Sequence, residues 1–208
     1  MALLAVVLSA CTTLELETPA RALLDRITQA TVYIGVRGGH GTGVLIGARS
    51  VLTVAHLFTR DTAVRVTFSN GLTIAGAMVW SSANPDLAIV TLDGPAPVVY
   101  AAVDCRPLAL DQPVIVIGNP LRYRWFISRG RVATLKKVRL FKFAHVVLNV
   151  FAAPGSSGSP VFDERGRVRG IVKSGPVFRG ALVQGPTVVV PAGAACAQRA
   201  LTSKSART

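Results

Sequence analysis

Three short segments of the chain hold the residue types that acyl transfer requires, in the order histidine, aspartate, serine. An apolar strand-like run from Val51 ends at His56, and Asp86 stands at the entry to a second apolar run, Leu87 to Val90. The third segment, Ala153 to Phe162, crowds Gly155, Ser156, Ser157, Gly158 and Ser159 into a turn just ahead of an apolar strand. A serine hydroxyl is a weak nucleophile until a neighbouring imidazole takes its proton. The imidazole does this well only when a carboxylate fixes its tautomer and stabilises the imidazolium. The turn supplies a further need: in a Gly-X-Ser sequence the backbone N–H groups of Gly155 and Ser157 can converge on one point, because Gly155 lacks the β-carbon that would hinder that conformation. Taken singly, His56 reads as a structural histidine and the glycine-serine turn as a plain turn; together and in this order they point to chemistry.

The elements that must position these groups are mostly short strands. Pro19 to Gln29 carries Leu23, Leu24 and Ile27 at helical spacing, which predicts a short N-terminal helix. Then follow β-branched runs of four to seven residues, separated by Gly, Asn, Asp and Ser: Thr31 to Val36, Gly43 to Ile46, Val51 to Val54, Ala63 to Phe68, Thr73 to Val79 and Leu87 to Leu92. After an irregular, proline-containing stretch from Gly94 to Asp111, a second set runs through Pro113 to Ile117, Trp125 to Leu135, Val138 to Phe143, Val146 to Val150, Val161 to Phe162, Val168 to Val172 and Thr187 to Val190. The expected fold is all-β, two antiparallel six-stranded barrels over 31–103 and 104–191, preceded by a segment and helix at 12–30 and followed by a helix and polar tail at 192–208. His40 reads as a loop residue, and His145 as part of a strand-like run with no nameable partner.

The chain has 208 residues, 50% hydrophobic and 16% charged, with 19 Gly and 12 Pro. That excludes a string of modules and a disordered polymer. The net charge of +13 suits polyanionic surroundings. From Gln112 to Phe162 there is no acidic residue. Within 122–142, Arg122, Arg124, Arg129, Arg131, Lys136, Lys137, Arg139 and Lys142 alternate with Tyr123, Trp125, Phe126 and Phe141. This stretch reads either as a solvated basic face or as a docking surface for anionic lipid or envelope polymer, with no nucleic-acid motif to support a third partner. Residues 1–11 read as an export signal, and Leu8-Ser-Ala-Cys11 resembles the lipobox of bacterial lipoproteins, although no Lys or Arg precedes the apolar run. The expected location is the cell envelope or periplasm, with a lipid anchor at Cys11. Cys105 and Cys196 are then left as an even pair, open to a disulfide or to two buried thiols. Three His and three Cys without close ligand spacing suggest no metal and no cofactor.

The joint pattern resembles the chymotrypsin-like (trypsin-fold) serine endopeptidases, and in particular the protease domain of bacterial HtrA-like enzymes. Thr53-Val-Ala-His56 is similar to the family's histidine motif, Pro85-Asp86-Leu-Ala-Ile-Val90 to its aspartate motif and Pro154-Gly-Ser-Ser157-Gly-Ser-Pro160 to its serine motif. Gly41-Thr-Gly43 and Gly118-Asn-Pro120 match flanking elements. The resemblance implies His56 as general base, Asp86 as its orienting carboxylate, Ser157 as nucleophile, and Gly155 and Ser157 as oxyanion donors. It implies a substrate pocket built from Phe151, Ala152, Ala153, Val172, Lys173 and Ser174. Phe151 stands where trypsin-like members carry an acid, so cleavage after small or aliphatic residues is expected. Ser156 replaces the aspartate that pairs with a newly cut N-terminus, so no activation of that kind is expected. Ser159 gives a likeness to glutamyl endopeptidases, but 170–175 offers no histidine for an acidic side chain. No PDZ-like module is expected in the roughly sixteen residues after Ala192. Two other readings remain, a two-barrel binding module without turnover and a processing protease with one dedicated target.

Overall fold

The computed structural model describes residues 18–59, 61–96, 99–135, 145–174, 177–178, 181–182 and 186–196. Helix α1 (Pro19–Ala30) opens where the Thr18 hydroxyl accepts the Arg21 N–H at 3.3 Å and Pro19 occupies the first turn, where no amide hydrogen is needed. Ile27 and Ala30 on its inner face are buried, and Leu23 and Leu24 pack beside them. The first barrel comprises β1 (Thr31–Val36), β2 (Gly39–Gly47), β3 (Ser50–Thr53), β4 (Ala63–Thr67), β5 (Thr73–Ser82) and β6 (Leu87–Leu92). They close in the order β1-β2-β3-β6-β5-β4, with β4 returning to β1.

The second barrel uses β7 (Pro113–Gly118), β8 (Phe126–Thr134), β9 (Val146–Leu148), β10 (Pro160–Phe162) and β11 (Val168–Ser174). It is completed by β14 (Thr187–Pro191). Its order is β10-β11-β14-β9-β8-β7, closed by β10 against β7. Between β11 and β14 lies a small hairpin, β12 (Val177–Phe178) with β13 (Ala181–Leu182), which the sequence pattern did not announce. Residues 192–196 are helical. The strand expected over Val138 to Phe143, the expected leader with Cys11, and the rest of the closing helix and tail lie outside the described residues.

Three apolar clusters hold the fold. Val32, Ile34, Leu45, Val66 and Phe68 fill the first barrel, and Val116, Leu148, Val161, Val172 and Val189 fill the second. The third lies on the seam, where Val44, Leu52 and Leu87 of one barrel meet Ile117, Phe162, Ile171 and Val190 of the other beneath Ile27 of α1. The linker is fastened to the second barrel. The Val168 N–H donates to the Ala102 carbonyl and the Asp104 N–H to the Val168 carbonyl. Asp104 pairs with Arg106 at 2.7 Å and Arg167 at 3.1 Å, and Asp163 with Arg167 at 2.7 Å. Cys105 and Cys196 are joined as a disulfide, Cα atoms 6.0 Å apart, tying the linker to the closing helical turn.

Candidate active site

Antiparallel pairing of β3 with β6 sets Thr53 opposite Ala88, so the end of one strand lies beside the start of the other. Continuing from β3, a single 3-10 turn (Ala55–Leu57) presents His56. Leading into β6, the chain passes a cis Asn84–Pro85 bond to Asp86, whose φ of 72° turns its side chain back toward His56. The carboxylate holds the histidine at two points: Oδ1 accepts its backbone N–H at 3.0 Å, and Oδ2 lies 2.9 Å from Nδ1. With Nδ1–H donated to the carboxylate, Nε2 is left with its lone pair as a base. Asp86 is buried, while the His56 side chain is 43% exposed and open to a substrate.

The loop carrying Ser157 belongs to the second barrel but hangs on both. The Thr42 N–H donates to the Ser157 carbonyl at 2.8 Å, the Thr42 hydroxyl donates to the Gly155 carbonyl at 2.8 Å, and the Gly158 N–H donates to the Val172 carbonyl. Gly155 has φ 96°, and a β-carbon there would collide with the Asn119 carbonyl oxygen and the His40 ring. The Leu121 N–H donates to the Pro154 carbonyl at 2.6 Å. In a trans peptide the carbonyl and the following N–H point oppositely, so this bond turns the Gly155 N–H away from Leu121. Among the described residues, neither the Gly155 N–H nor the Ser157 N–H has an acceptor. Two uncommitted backbone donors within one turn are what a developing oxyanion requires.

The serine hydroxyl itself donates to the Lys173 carbonyl at 3.2 Å, and among the described residues no hydrogen bond joins it to His56. Lys173 also brings Nζ to 3.8 Å from Asp86 Oδ2. An open cleft of about 650 Å³ runs along this side of the site, lined by Ala55, His56, Ser81, Ala83, Asp86 and Lys173.

The expected substrate-pocket residues do not all gather. Val172 is fully buried in the core of the second barrel, whereas its neighbour Lys173, where the β11–β14 register shifts, reaches toward Asp86. Ala153 is buried and Ala152 half-buried against the same core. Phe151 is 47% exposed, its ring edge-on to Phe126 at 5.7 Å, so it stands on the surface and not at the bottom of a closed pocket. Ser174 ends β11.

His40 is not a loop residue. It sits in β2, its Nε2 3.0 Å from the Asn119 carbonyl oxygen and its ring stacked on Tyr33 at 5.1 Å, beside the glycine of the serine loop. His145 is buried just before β9. Thr42 and Asn119 also belong to the site, and the close glycine spacing of Gly41-Thr-Gly43 and Gly118-Asn-Pro120 is the sequence signal that marks them. Among the described residues, no group of three or more His, Cys, Asp or Glu could hold a metal ion.

Comparison with known proteins gives a consistent picture. Residues 41–171 match the model of the trypsin-like peptidase domain. The chain is 27% identical over 164 residues to a "Serine protease Do-like HtrA" of Lactobacillus helveticus, a match covering 73% of this chain and 40% of that protein. It is 26% identical over 136 residues to a "Serine protease HtrA-like" of Staphylococcus aureus, covering 59% of this chain and 18% of that one. The match thus spans less than half of either relative. Among solved structures, a serine endoprotease from Yersinia pestis superposes with a TM-score of 0.72 at 20% identity, over 91% of this chain and 67% of that one. The inactive form of a mutant of Rv3671c from Mycobacterium tuberculosis gives 0.72 at 21% identity, over 86% and 88%. At such identities the structural likeness establishes the fold.

Proposed function

Because this chain belongs to the trypsin-like peptidase family, we propose that it is a serine endopeptidase in which His56, Asp86 and Ser157 form the catalytic triad. The observation that carries the reading is the two-point hold of Asp86 on His56, which leaves Nε2 as the base. Rotation of the Ser157 side chain off the Lys173 carbonyl delivers its proton to His56 Nε2 as the oxygen attacks the scissile carbonyl. The new oxyanion takes the N–H groups of Gly155 and Ser157, and the imidazolium, stabilised by Asp86, returns the proton to the leaving amine. Water then repeats the sequence to release the acyl group. A second reading, a binding module without turnover, draws on the bond from Ser157 to Lys173 in place of His56. Catalytic hydrogen bonds are often loose before substrate arrives, so the peptidase reading is preferred.

Labelling with a fluorophosphonate probe separates the two. Wild type reacts, and Ser157→Ala and His56→Ala do not; a folded wild type that stays unlabelled refutes the peptidase reading. Extended polypeptide is the substrate class. The absence of a charged residue from positions 151–153 supports cleavage after Ala, Val or Leu; turnover of an Arg peptide without a Val peptide excludes it. The Cys105–Cys196 disulfide supports an oxidising compartment outside the cytosol, in keeping with the export-like leader and a lipid anchor at Cys11. Exposed Arg122, Arg124 and Arg129 beside Tyr123 and Phe126 support contact with an anionic membrane, read as salt-sensitive retention on phosphatidylglycerol vesicles.

A further inference from the structure

Lys173 touches two of the three residues to which the chemistry is assigned. Its main chain accepts the Ser157 hydroxyl, and its ammonium stands 3.8 Å from Asp86 Oδ2, the same oxygen that faces His56 Nδ1 at 2.9 Å. The side chains of Lys173 and Asp86 are 21% and 8% exposed, so solvent screens the pair less than it would a surface ion pair. The contact also crosses the molecule, from β11 of the second barrel to the turn ahead of β6 in the first. Among the described residues, the titratable and charged groups lining the cleft are His56, Asp86 and Lys173, beside Ala55, Ser81 and Ala83. Among the described residues, Asp86 has ion-pair partners in His56 and Lys173 alone.

A carboxylate behind a catalytic histidine does two things: it orients the ring, and it stabilises the imidazolium. An ammonium beside the same oxygen leaves the orientation in place while offsetting part of the negative charge. The imidazolium then gains less from Asp86. Neutral imidazole is the form that takes the serine proton, so the added cation keeps the base competent further into acid. We propose that Lys173 is a positioning residue of this active site, joining Asp86 to the second barrel and extending the working range to lower pH; this rests on the triad reading above.

The test uses Lys173→Met, which keeps most of the aliphatic stem and removes the charge, Lys173→Gln as a second neutral variant, and Lys173→Arg, which keeps the charge. Fluorophosphonate labelling rates are measured across the acid limb and the neutral plateau. In both neutral variants the acid limb moves up by about one pH unit, so the ratio of wild-type to variant rates is about tenfold larger at the foot of the limb than on the plateau. Lys173→Arg returns the limb to its wild-type position. Neutral variants whose profile superimposes on wild type, or is lowered equally at every pH, overturn the proposal. The NMR resonance of the His56 Nδ1 proton, followed over the same range, reads the imidazole without turnover. An unlabelled wild type therefore refutes the peptidase reading, while the resonance still decides the role of Lys173: an identical response in wild type and Lys173→Met refutes it.

Discussion

Thr42 is the most informative residue to perturb outside the proposed triad. It is fully buried in β2 of the first barrel, yet its hydroxyl donates to the Gly155 carbonyl at 2.8 Å and accepts the Asn119 backbone N–H at 3.0 Å and the Asn119 side-chain amide at 3.1 Å. Thr42→Val replaces that hydroxyl with a methyl of nearly the same size and keeps both backbone bonds of Thr42. The Gly155 carbonyl and the Asn119 backbone N–H are then buried without partners, whereas the Asn119 side chain retains the Val32 carbonyl at 3.4 Å. Two orphaned groups at about 1–3 kcal/mol each give a loss of about 2–6 kcal/mol. A domain in the middle or upper part of the ordinary range of about 5–15 kcal/mol remains folded at room temperature. Activity falls for a separate reason: the peptide after Gly155 loses its anchor, and the oxyanion donors lose part of their preorganisation. Complete loss of one such donor costs about 10²–10³ in rate, so a loosened one costs about 10–100-fold. Urea denaturation reads the first effect and fluorophosphonate labelling of the folded protein the second, with Thr42→Ser, which keeps the hydroxyl, close to wild type in both. A Thr42→Val protein within about 0.5 kcal/mol of wild type and labelled at the wild-type rate refutes the reasoning.

Reduction of the Cys105–Cys196 disulfide, which closes a 91-residue loop, lowers stability by about 4–5 kcal/mol on the loop-entropy account, seen as a lower urea midpoint in reductant and in Cys105→Ser. Acid weakens the linker through Asp104 and Asp163. The side-chain hydrogen bond from Arg106, outweighing burial, holds the Asp104 carboxyl well below its ordinary value; burial acts to raise Asp163, but hydrogen bonds from Arg167 and Arg165 bring it below its ordinary value. Carboxyls depressed in the folded state add stability that is fully present above their unfolded values and lost as pH falls through the folded ones. Stability therefore holds down to about pH 4 and declines below it, and Asp104→Asn shows a shallower decline in acid urea titrations.

Both barrels were legible because their strands advertise themselves. Thr31–Val36 and Leu87–Leu92 run between the same residues in sequence pattern and structure, each a β-branched run bounded by turn formers or a helix end. The hairpin of β12 and β13 escaped, since two-residue strands among glycines carry no periodicity. β2 begins at Gly39, earlier than its apolar run suggests, because Gly39-His-Gly-Thr pairs with β1 through its backbone and shows no alternation; His40 looked like a loop residue for that reason. Consecutive Val172 and Lys173 do not form one pocket wall: Val172 is buried in the second barrel, and Lys173 alone of the two lines the cleft. The bonds from Thr42 to Gly155 and Asn119 join residues 113 and 77 positions apart, and no local pattern encodes a pairing of that kind.

The division of labour between apolar and polar contacts follows from where the site lies. The first barrel holds the Asp86–His56 pair complete within itself, and the second holds Ser157, with its own N–H and that of Gly155 uncommitted. Val44, Leu52 and Leu87 pressing on Ile117, Phe162 and Ile171 bring these halves together, but apolar burial is non-directional and tolerates small sliding of one surface over the other. Catalytic geometry does not tolerate it, since a displacement of about 1 Å can cost about 10²-fold in rate. The register must come from directional contacts across the seam: the Thr42 hydroxyl on Gly155 and Asn119, the Thr42 N–H on the Ser157 carbonyl, and the Lys173 ammonium facing Asp86. Cavity-forming changes in either barrel's interior should therefore cost stability before activity, whereas changes at Thr42 or Lys173 alter the reaction in protein that is still folded.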